Sequence, residues 1–291
     1  MQIRKAIVAD QFYPGQHDSC IEQTKECLDK ISYEKPLPET VTAGIVPHAG
    51  WMFSGDLAGL LFSKIKERHD TIHTFIIFGA AHGYFGNISA ICDSGYWETP
   101  LGQIAINEEL AESVINSGTA ISDPQVHNSE HSIEVQVPFI QYLFPGSKIL
   151  PILVPPRENA IAIGEAVGTI ISQDKEKKII CIASTDLTHY GPRYGFIPMG
   201  IGQNALEWAH KVNDMKFIEL ALKMEPEELL NNSAENGNAC GPGAVAAAIA
   251  AAKKLGSQKG LLLGHTNSNE VLLNIGGQAG NDSVGYASII Y

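Results

Sequence analysis

Short runs of valine, isoleucine and other apolar residues alternate along the chain with longer segments of helical periodicity. The apolar runs are continuous rather than alternating, which is typical of strands buried on both faces of a parallel sheet. They predict strands at 41–47, 74–81, 148–154, 178–185, 259–264 and 284–290. Apolar positions recur with the period of an α-helix in 55–67, 107–116, 158–172, 204–223 and 243–255. The order of these segments predicts an α/β fold, with a central, mainly parallel or mixed sheet flanked by helices.

The alternation continues along the whole chain without a low-complexity tract, an internal repeat or a long linker. A length of 291 residues suits one large α/β unit. We therefore predict a single domain over residues 1–291.

Polar residues directly follow four of the predicted strands. Sites in open α/β sheets form beyond the carboxyl ends of the strands, so parallel strands would bring these residues to one side of the sheet. The glycines beside His48 and His82 let the backbone pass close to a ligand, which favours a binding role over simple loop hydrogen bonding. His265 lies among Thr, Asn and Ser and fits a loop-stabilising role at least as well. The four segments are PHAG at 47–50, HG at 82–83, DLTHYG at 186–191 and HTNS at 265–268.

Cys240 stands in the segment NACGPG, immediately before the Ala-rich helix predicted at 243–255. Unpaired amides and the dipole at a helix N-terminus stabilise a thiolate, the form that attacks electrophiles or binds metal. The structural alternative is a small residue packed under a Gly-rich turn. The other cysteines, which we predict to be core residues, are Cys20, Cys27, Cys92 and Cys181.

A further group of ionisable residues lies in the segment EHSIEVQ at 130–136. Helical spacing would place both Glu130 and His131 near Glu134. A histidine beside a carboxylate can move protons, with its tautomer fixed by that partner. The same acids could equally stabilise the first turn of a helix, which would be a purely local role. We assign no function to His17, His69, His73 and His210.

The charge balance bears on partners and location. The 32 acidic and 20 basic residues give a net charge of −12, which repels phosphate backbones and anionic lipid. We therefore expect no nucleic acid or membrane partner, and no apolar stretch approaches the ~20 residues of a membrane-spanning helix. An odd number of cysteines, no C-x-x-C and no apolar leader favour a reducing cytoplasm.

Several motifs occur together in a fixed order, and their combination resembles the Memo family, labelled AmmeMemoRadiSam system protein B in prokaryotes. The resemblance covers about residues 4–290. The family is similar in fold to class III extradiol dioxygenases, which bind non-haem Fe(II), and this implies a central sheet flanked by helices with a pocket at one edge. The motifs are FYPG, VPHAGWMFSG, FGAAHG, WETPLG, EHSIEVQVPFIQYLFP, STDLTHYG, CGPGA and VGYAS.

The resemblance also implies a set of site residues. His48, His82 and Cys240 match the metal-site positions of the family, and Asp186 and His189 match pocket residues. Phe12 stands where some members carry Trp, so that side of the pocket differs. The dioxygenases use a carboxylate as third ligand where this chain offers a thiolate, which argues against simple ring-cleaving chemistry.

Two imidazoles and one thiolate suit Fe(II), Cu or Zn and leave coordination positions open, whereas Mg and Ca prefer oxygen donors. We therefore expect a metal-dependent redox enzyme that uses iron or copper. In this interpretation the catalytic residues are His189, Asp186 and His131. The two histidines move protons, while Asp186 orients His189 or completes the metal shell.

Two other functions are consistent with the same residues. The first is a peptide- or ligand-binding adaptor that uses the pocket without turnover, because eukaryotic members of the family are associated with receptor signalling and phosphotyrosine peptides. The second is hydrolysis by Cys240 with His189 as base. We expect a small-molecule or peptide substrate. The prokaryotic family label implies a functional association with radical-SAM and AMMECR1-type proteins.

Overall fold

Strands of two sheets, one large and one small, are distributed along the chain. The computed structural model describes residues 2–174 and 176–291. Strands β1 to β12 are, in order, Ile3–Arg4, Ala43–Val46, Thr74–Gly79, Ser89–Ile91, Tyr96–Thr99, Gly102–Ala105, Ala120–Ser122, Lys148–Leu153, Ile179–Ser184, His189–Tyr190, Leu261–Asn267 and Ser283–Ile290.

Within the described residues the large sheet has nine strands, eight of them in the order β10-β12-β2-β9-β3-β8-β4-β7, while β11 pairs with β12. Its centre is parallel, since β2, β9, β3 and β8 all run in one direction. Strand β12 runs antiparallel to both β2 and β11, so β11 points the same way as the central strands. Strands β1, β5 and β6 form the small sheet.

Helices cover the large sheet. Helix α9 packs on β9, β2 and β3 and is itself covered by α5 and α8, whereas α2 packs on β12, β11 and β2 beneath α1. The alanines of α9 are all buried, because this helix lies between the sheet and α5. Helices α1 to α10 are His17–Asp29, Trp51–Arg68, Glu108–Asn116, Val137–Leu143, Asn159–Gln173, Gln203–Trp208, Asp214–Lys223, Pro226–Asn236, Pro242–Lys254 and Ser268–Asn274.

The predicted α/β class with a mixed central sheet flanked by helices is confirmed, and each of the six predicted strands has a counterpart. The bounds of β11 differ from the prediction, and the difference changes the position of His265. This strand continues to Asn267, so His265 lies inside it opposite Ala287 rather than in a loop after it. The helix predicted at 204–223 is divided, with a π-helical turn at Ala209–Asn213 between α6 and α7.

The helical spacing expected at 130–136 is wrong. Residues 124–129 and 134–136 form 3₁₀ turns, and Glu130 between them has an extended backbone. Fully buried Glu134 turns away from Glu130 and forms an ion pair with Arg4. It also accepts hydrogen bonds from the amides of Ile7 and Val8 at 2.9–3.0 Å. This network ties the N-terminal segment to the rest of the fold.

The four cysteines predicted as core residues are buried, with at most 4% of their surface exposed. None of the helices in 2–174 and 176–291 is long and apolar enough to cross a membrane.

Candidate metal centre

Three neighbouring strands bring three distant segments of the chain to one edge of the sheet. Strands β2, β9 and β3 are adjacent and parallel, with Val46 opposite Ser184 and Ala183 opposite Phe78. All three therefore end at the same level. The chain continues from their carboxyl ends into His48, Asp186 and His82 respectively. The convergence expected from the strand order is thus present for three of the four segments, whereas His265 of the fourth lies within β11.

The rings of His48, His82 and His131 form a compact cluster at this edge. Their centroids lie 5.0–5.4 Å apart, and the His82 and His131 rings are stacked with an interplanar angle of 10°. One nitrogen from each ring can face the others, all within 4.8 Å, which is close enough to hold one metal ion. His131 was predicted as a proton carrier, and its position also makes it a candidate ligand.

Cys240 joins this cluster from the turn before α9. Its sulfur lies 3.2 Å from Nε2 of His48 and accepts a hydrogen bond of 3.3 Å from the Asp186 amide. The backbone amide of Cys240 donates to the Asp186 carbonyl at 3.2 Å. At the following position, a Cβ on Gly241 would lie 2.8 Å from the Ser184 carbonyl oxygen. Glycine at 241 therefore allows the turn to approach β9 and bring the thiol to His48.

Oxygen atoms orient the rings of His48 and His82. Nδ1 of His48 lies 3.2 Å from the hydroxyl of Ser184, and Nδ1 of His82 lies 3.1 Å from the Glu130 carboxylate. Glu130 also accepts hydrogen bonds from the amides of His82 and Ser132 at 3.1 and 2.8 Å, so it is held on two sides. Partners of this kind fix the tautomer of a metal-binding imidazole and leave Nε2 for the ion.

The carboxylate nearest to His131 is Glu130, at 3.7 Å, and not Glu134 as the helical spacing predicted. Neither Glu130 nor Ser184 was predicted as an orienting residue. The position of Glu130 directly before His131 was a signal that it could contact that histidine. Its contact with His82 gave no such signal, because the two residues are 48 positions apart in the sequence.

Asp186 links His48 to His189. One carboxylate oxygen accepts a 2.7 Å hydrogen bond from the His48 amide, and the other lies 3.9 Å from Nε2 of His189. This Nε2 is buried and has no hydrogen-bond partner among the described residues. A buried nitrogen without a partner is costly, so the position suits a ligand that would satisfy it.

Electrostatics favour the thiolate form of Cys240. Burial alone would raise the pKa of Cys240, but the charge of His48 and the nearby imidazoles of His189, His48 and His82 lower it well below its usual value. Burial opposes protonation of His48, while the Cys240 thiolate and Asp186 raise its pKa. These shifts favour an ion pair between the Cys240 thiolate and the protonated ring of His48.

The histidine pKa values separate into two groups. Burial opposes the charged form in each case. Contacts with Cys240 and Glu130 nevertheless raise the pKa of His82 to about 10, and contacts with Asp186 and Cys240 raise that of His189 to about 10. Burial and the charge of His48 lower the pKa of His131 to about 4. Groups with separated pKa values can serve as proton donor and proton acceptor in one site.

A cavity of about 800 Å³ opens onto these residues. Its lining includes the three clustered histidines and His189, together with apolar and aromatic side chains such as Phe12 and Tyr194. The glycines beside His48 and His82 do not make close approaches to protein atoms. A Cβ at Gly50 or Gly83 would meet its nearest neighbour at 3.6 or 3.8 Å, which is ordinary contact.

Comparison with known proteins identifies the family. The model of the Memo-like protein family matches residues 4–290. The chain belongs to the Memo family. Among curated relatives, a MEMO1 family protein of Pyrococcus furiosus is 38% identical over 99% of this chain and 98% of its own length. Memo family proteins of Thermococcus onnurineus and Methanosarcina barkeri are 34% and 32% identical, each over 99% of both chains.

The donor atoms at the site of this Memo family chain fit a transition metal better than Mg or Ca. Imidazole nitrogens and a low-pKa sulfur converge, and hard cations prefer oxygen shells. His48, His82 and Cys240 were predicted as ligands. The structure places the Cys240 sulfur against His48, and it groups His48 and His82 with His131, all within 4.8 Å. Which of the four bind an ion stays a prediction.

The remaining histidines lie outside this cluster. His17 and His73 are exposed, and His69 lies 3.0 Å from the Val41 carbonyl. His265 and His210, to which no metal role was assigned, form a separate group with Asp214.

Proposed function

We propose that this Memo family chain is a metal-dependent redox enzyme that binds Fe(II) or Cu through His48, His82 and Cys240. The contact between the Cys240 sulfur and Nε2 of His48, 3.2 Å apart, carries the proposal. A thiolate and imidazoles suit these metals and also Zn(II), which is redox-inert. A bound iron or copper ion would supply one-electron chemistry and polarise a substrate atom placed in an open coordination position.

The protein residues would have separate roles. Glu130 and Ser184 hold the rings of His82 and His48 in place through Nδ1. Asp186 keeps the His48 backbone at the edge of the sheet through a 2.7 Å hydrogen bond. These contacts fix the donor atoms before a ligand arrives, which lowers the cost of binding.

Proton transfer would be divided between two histidines. The pKa of His189 is raised to about 10, so it carries a proton at neutral pH and can donate it, while Asp186 lies 3.9 Å from its Nε2 and orients the ring. The pKa of His131 is lowered to about 4, so it is neutral and can accept one. Both rings line the cavity, where each can reach a bound substrate.

The substrate class follows from the cavity walls. Phe12, Phe53 and Leu272 provide apolar surface, and Arg193 provides one cationic group. A volume of about 800 Å³ holds a small organic molecule or one or two side chains of a peptide. Five free thiols support a reducing, cytoplasmic location.

Metal content and redox dependence together test the proposal. Protein prepared without oxygen should bind Fe(II) or Cu. His48→Ala and Cys240→Ser should each weaken the metal affinity by at least ~10-fold, since each variant loses a ligand. The exposed His17→Ala is the matched control and should bind as the parent does. The iron or copper form should consume an oxidant such as O₂ with a reducing substrate, whereas the Zn(II) form should not.

Two results would overturn the proposal. One is iron and copper binding that does not change in His48→Ala. The other is oxidant consumption that is equal in the Zn(II) and iron or copper forms.

An adaptor function is the second candidate, and the pairing of Arg193 with Tyr194 at the cavity favours it. The guanidinium carbon lies 6.0 Å from the centre of the Tyr194 ring, so a cation and an aromatic face are presented together. Such a pair could hold an anionic aromatic side chain of a peptide without any metal. Tight peptide binding that survives metal removal and His48→Ala, but not Arg193→Ala, would establish this function instead.

A further inference from the structure

A second group of metal-binding side chains lies apart from the His48 cluster. His210, Asp214 and His265 have ligand atoms within 4.8 Å of one another. Their side chains are 18%, 1% and 11% exposed, so the group is largely withdrawn from water. None of these residues lines the cavity at the His48 cluster.

Local structure explains why these three side chains meet. His210 lies in the π-helical turn at 209–213, and Asp214 follows four residues later at the start of α7, on the same side. Single π-helical turns often occur at functional sites. His265 comes from β11, where it pairs with Ala287. On β12, a Cβ at Gly285 would collide with the Asp214 carboxylate, so glycine at 285 leaves room for this group.

The two carboxylate oxygens of Asp214 have different surroundings. Oδ1 accepts a 3.0 Å hydrogen bond from the Thr188 amide. Oδ2 faces both imidazoles, at 3.1 Å from Nε2 of His265 and 3.8 Å from Nδ1 of His210. One carboxylate oxygen and two imidazole nitrogens therefore lie within 4.8 Å of one another. The two rings are stacked with centroids 4.1 Å apart and an interplanar angle of 25°, so binding one ion through both would require one ring to rotate.

Hydrogen bonding alone does not account for this group. A contact of 3.1 Å explains the position of His265, but Nδ1 of His210 is buried and has no hydrogen-bond partner among the described residues. Leaving a buried nitrogen unpaired is unfavourable. The other nitrogen of the ring, Nε2, lies 3.3 Å from the Glu270 carboxylate. A carboxylate behind the ring is the usual partner of a metal-binding histidine.

We propose that His210, Asp214 and His265 bind a divalent cation of the zinc class, independently of the His48 cluster. The ligands would be Nδ1 of His210, Oδ2 of Asp214 and Nε2 of His265. Bond lengths of about 2.0–2.2 Å in a tetrahedral site place ligand atoms roughly 3.3 Å apart. The observed separations of 3.1 and 3.8 Å lie on either side of that value. Two imidazoles and one carboxylate suit Zn(II), Co(II) or Fe(II).

The residues around this group give an ion access from solvent and connect it to the segment that precedes His189. A cavity of about 270 Å³ is lined by His210 and Glu270, so a cation can reach the ligands from solvent. Asp214 holds the Thr188 amide, and the Thr188 carbonyl accepts a hydrogen bond from Gly285 at 3.1 Å. Thr188 directly precedes His189. A cation bound to Asp214 would therefore stabilise the segment that carries Asp186 and His189.

Cobalt(II) binding to the full-length chain tests the proposal. The starting protein is the double variant His48→Ala/His82→Ala, which removes two ligands of the other cluster. Equilibrium dialysis should find about one Co(II) per chain, and visible d–d absorption should report nitrogen and oxygen ligands. Adding His210→Ala should weaken this binding by at least ~10-fold, and Glu270→Gln should weaken it by roughly 10-fold without removing a ligand. The exposed His73→Ala is the matched control and should have no effect.

Circular dichroism and thermal melting check that each variant folds. Co(II) should raise the melting temperature of the double variant, but it should not raise that of the same protein with His210→Ala added. The proposal is overturned if the double variant binds no Co(II), or if affinity and melting shift are unchanged by both His210→Ala and Glu270→Gln.

Discussion

The sulfur of Cys240 lies 3.2 Å from Nε2 of His48, although 192 residues separate them along the chain. The thiol comes from the turn before α9 and the imidazole from the end of β2. Their contact depends on Asp186 between them, whose carboxylate holds the His48 amide and whose backbone carbonyl holds the Cys240 amide. A thiol and an imidazole at this distance exchange a proton readily, and burial strengthens the attraction between the resulting thiolate and imidazolium.

The first prediction concerns the reactivity of this thiol. In metal-free protein, the rate at which Cys240 reacts with iodoacetamide should rise less steeply between pH 6 and 8 than that of an ordinary cysteine, because a thiol with a lowered pKa is ionised to a larger extent at the lower pH. An ordinary cysteine, with a pKa of about 8.5, would react roughly tenfold faster per pH unit over this range. Mass spectrometry of peptides after timed quenching measures the rate.

Cysteines of the core provide the internal control. Cys20, Cys27 and Cys181 are buried, and burial raises the pKa of each thiol to about 11–12, so they should label only after denaturation. Cys240→Ser should abolish labelling of the folded protein. A steep rise of Cys240 labelling with pH would contradict the proposed ion pair.

A second prediction concerns Glu130, which lies 3.1 Å from Nδ1 of His82. Glu130→Gln keeps the shape of the side chain but removes the charge that orients the imidazole. We expect metal affinity at the His48 cluster to fall by about 10–100-fold, with the melting temperature of the metal-free protein changed much less. Competition with a chelator of known affinity measures this. Glu112→Gln, an exposed acid on α3, is the matched control, and an equal loss in both variants would exclude the orienting role.

The strands and their order along the chain could be predicted because buried parallel strands leave continuous apolar runs. His48, His82 and Asp186 follow from that prediction, since each comes directly after such a run and adjacent parallel strands end together. The partners of Glu130 and Glu134 could not be predicted. Both acids suit a helical turn by spacing, and only the tertiary structure decides that one faces His82 and the other Arg4.

The group around His265 could not be recognised for a related reason. His265 belongs to β11, and its neighbours come from a helix 51 residues earlier in the chain. A polar residue inside a half-buried strand gives no periodic signal. The divided helix at 203–223 looks continuous in sequence, so the π-helical turn that presents His210 has no apolar pattern of its own.

A third prediction concerns the buried ion pair of Arg4 and Glu134. Glu134→Ala should destabilise the fold by about 3–5 kcal/mol, because it leaves the Arg4 guanidinium buried without a counter-charge. It also removes the acceptor for the amides of Ile7 and Val8. Urea unfolding measures the change. Glu98→Ala breaks the exposed pair with Lys5 and should cost less than about 1 kcal/mol. Equal effects of the two substitutions would show that the buried pair is not a major stabilising element.

The last prediction concerns acid stability and His127. Burial lowers the pKa of this histidine to about 4, from 6.5 in an unfolded chain, with the charge of Arg4 also opposing protonation. Between these two values the unfolded chain binds more protons than the folded one, so His127 makes the protein less stable as the pH falls from 6.5 to 4. Its contribution between pH 7 and 5 is on the order of 2 kcal/mol.

His127→Phe removes this titration while keeping an aromatic ring beside Trp97. The variant loses the hydrogen bond from Nε2 to the Ala90 carbonyl and should be less stable than the parent at pH 7. The difference should shrink or reverse at pH 5, since the variant has no buried imidazole to keep neutral. Urea unfolding at both pH values measures it, with the exposed His17→Phe as the control for a change of side chain alone. A stability difference that stays constant from pH 7 to 5 would mean that His127 takes up its proton equally in both states, and acid sensitivity would then have to come from other groups.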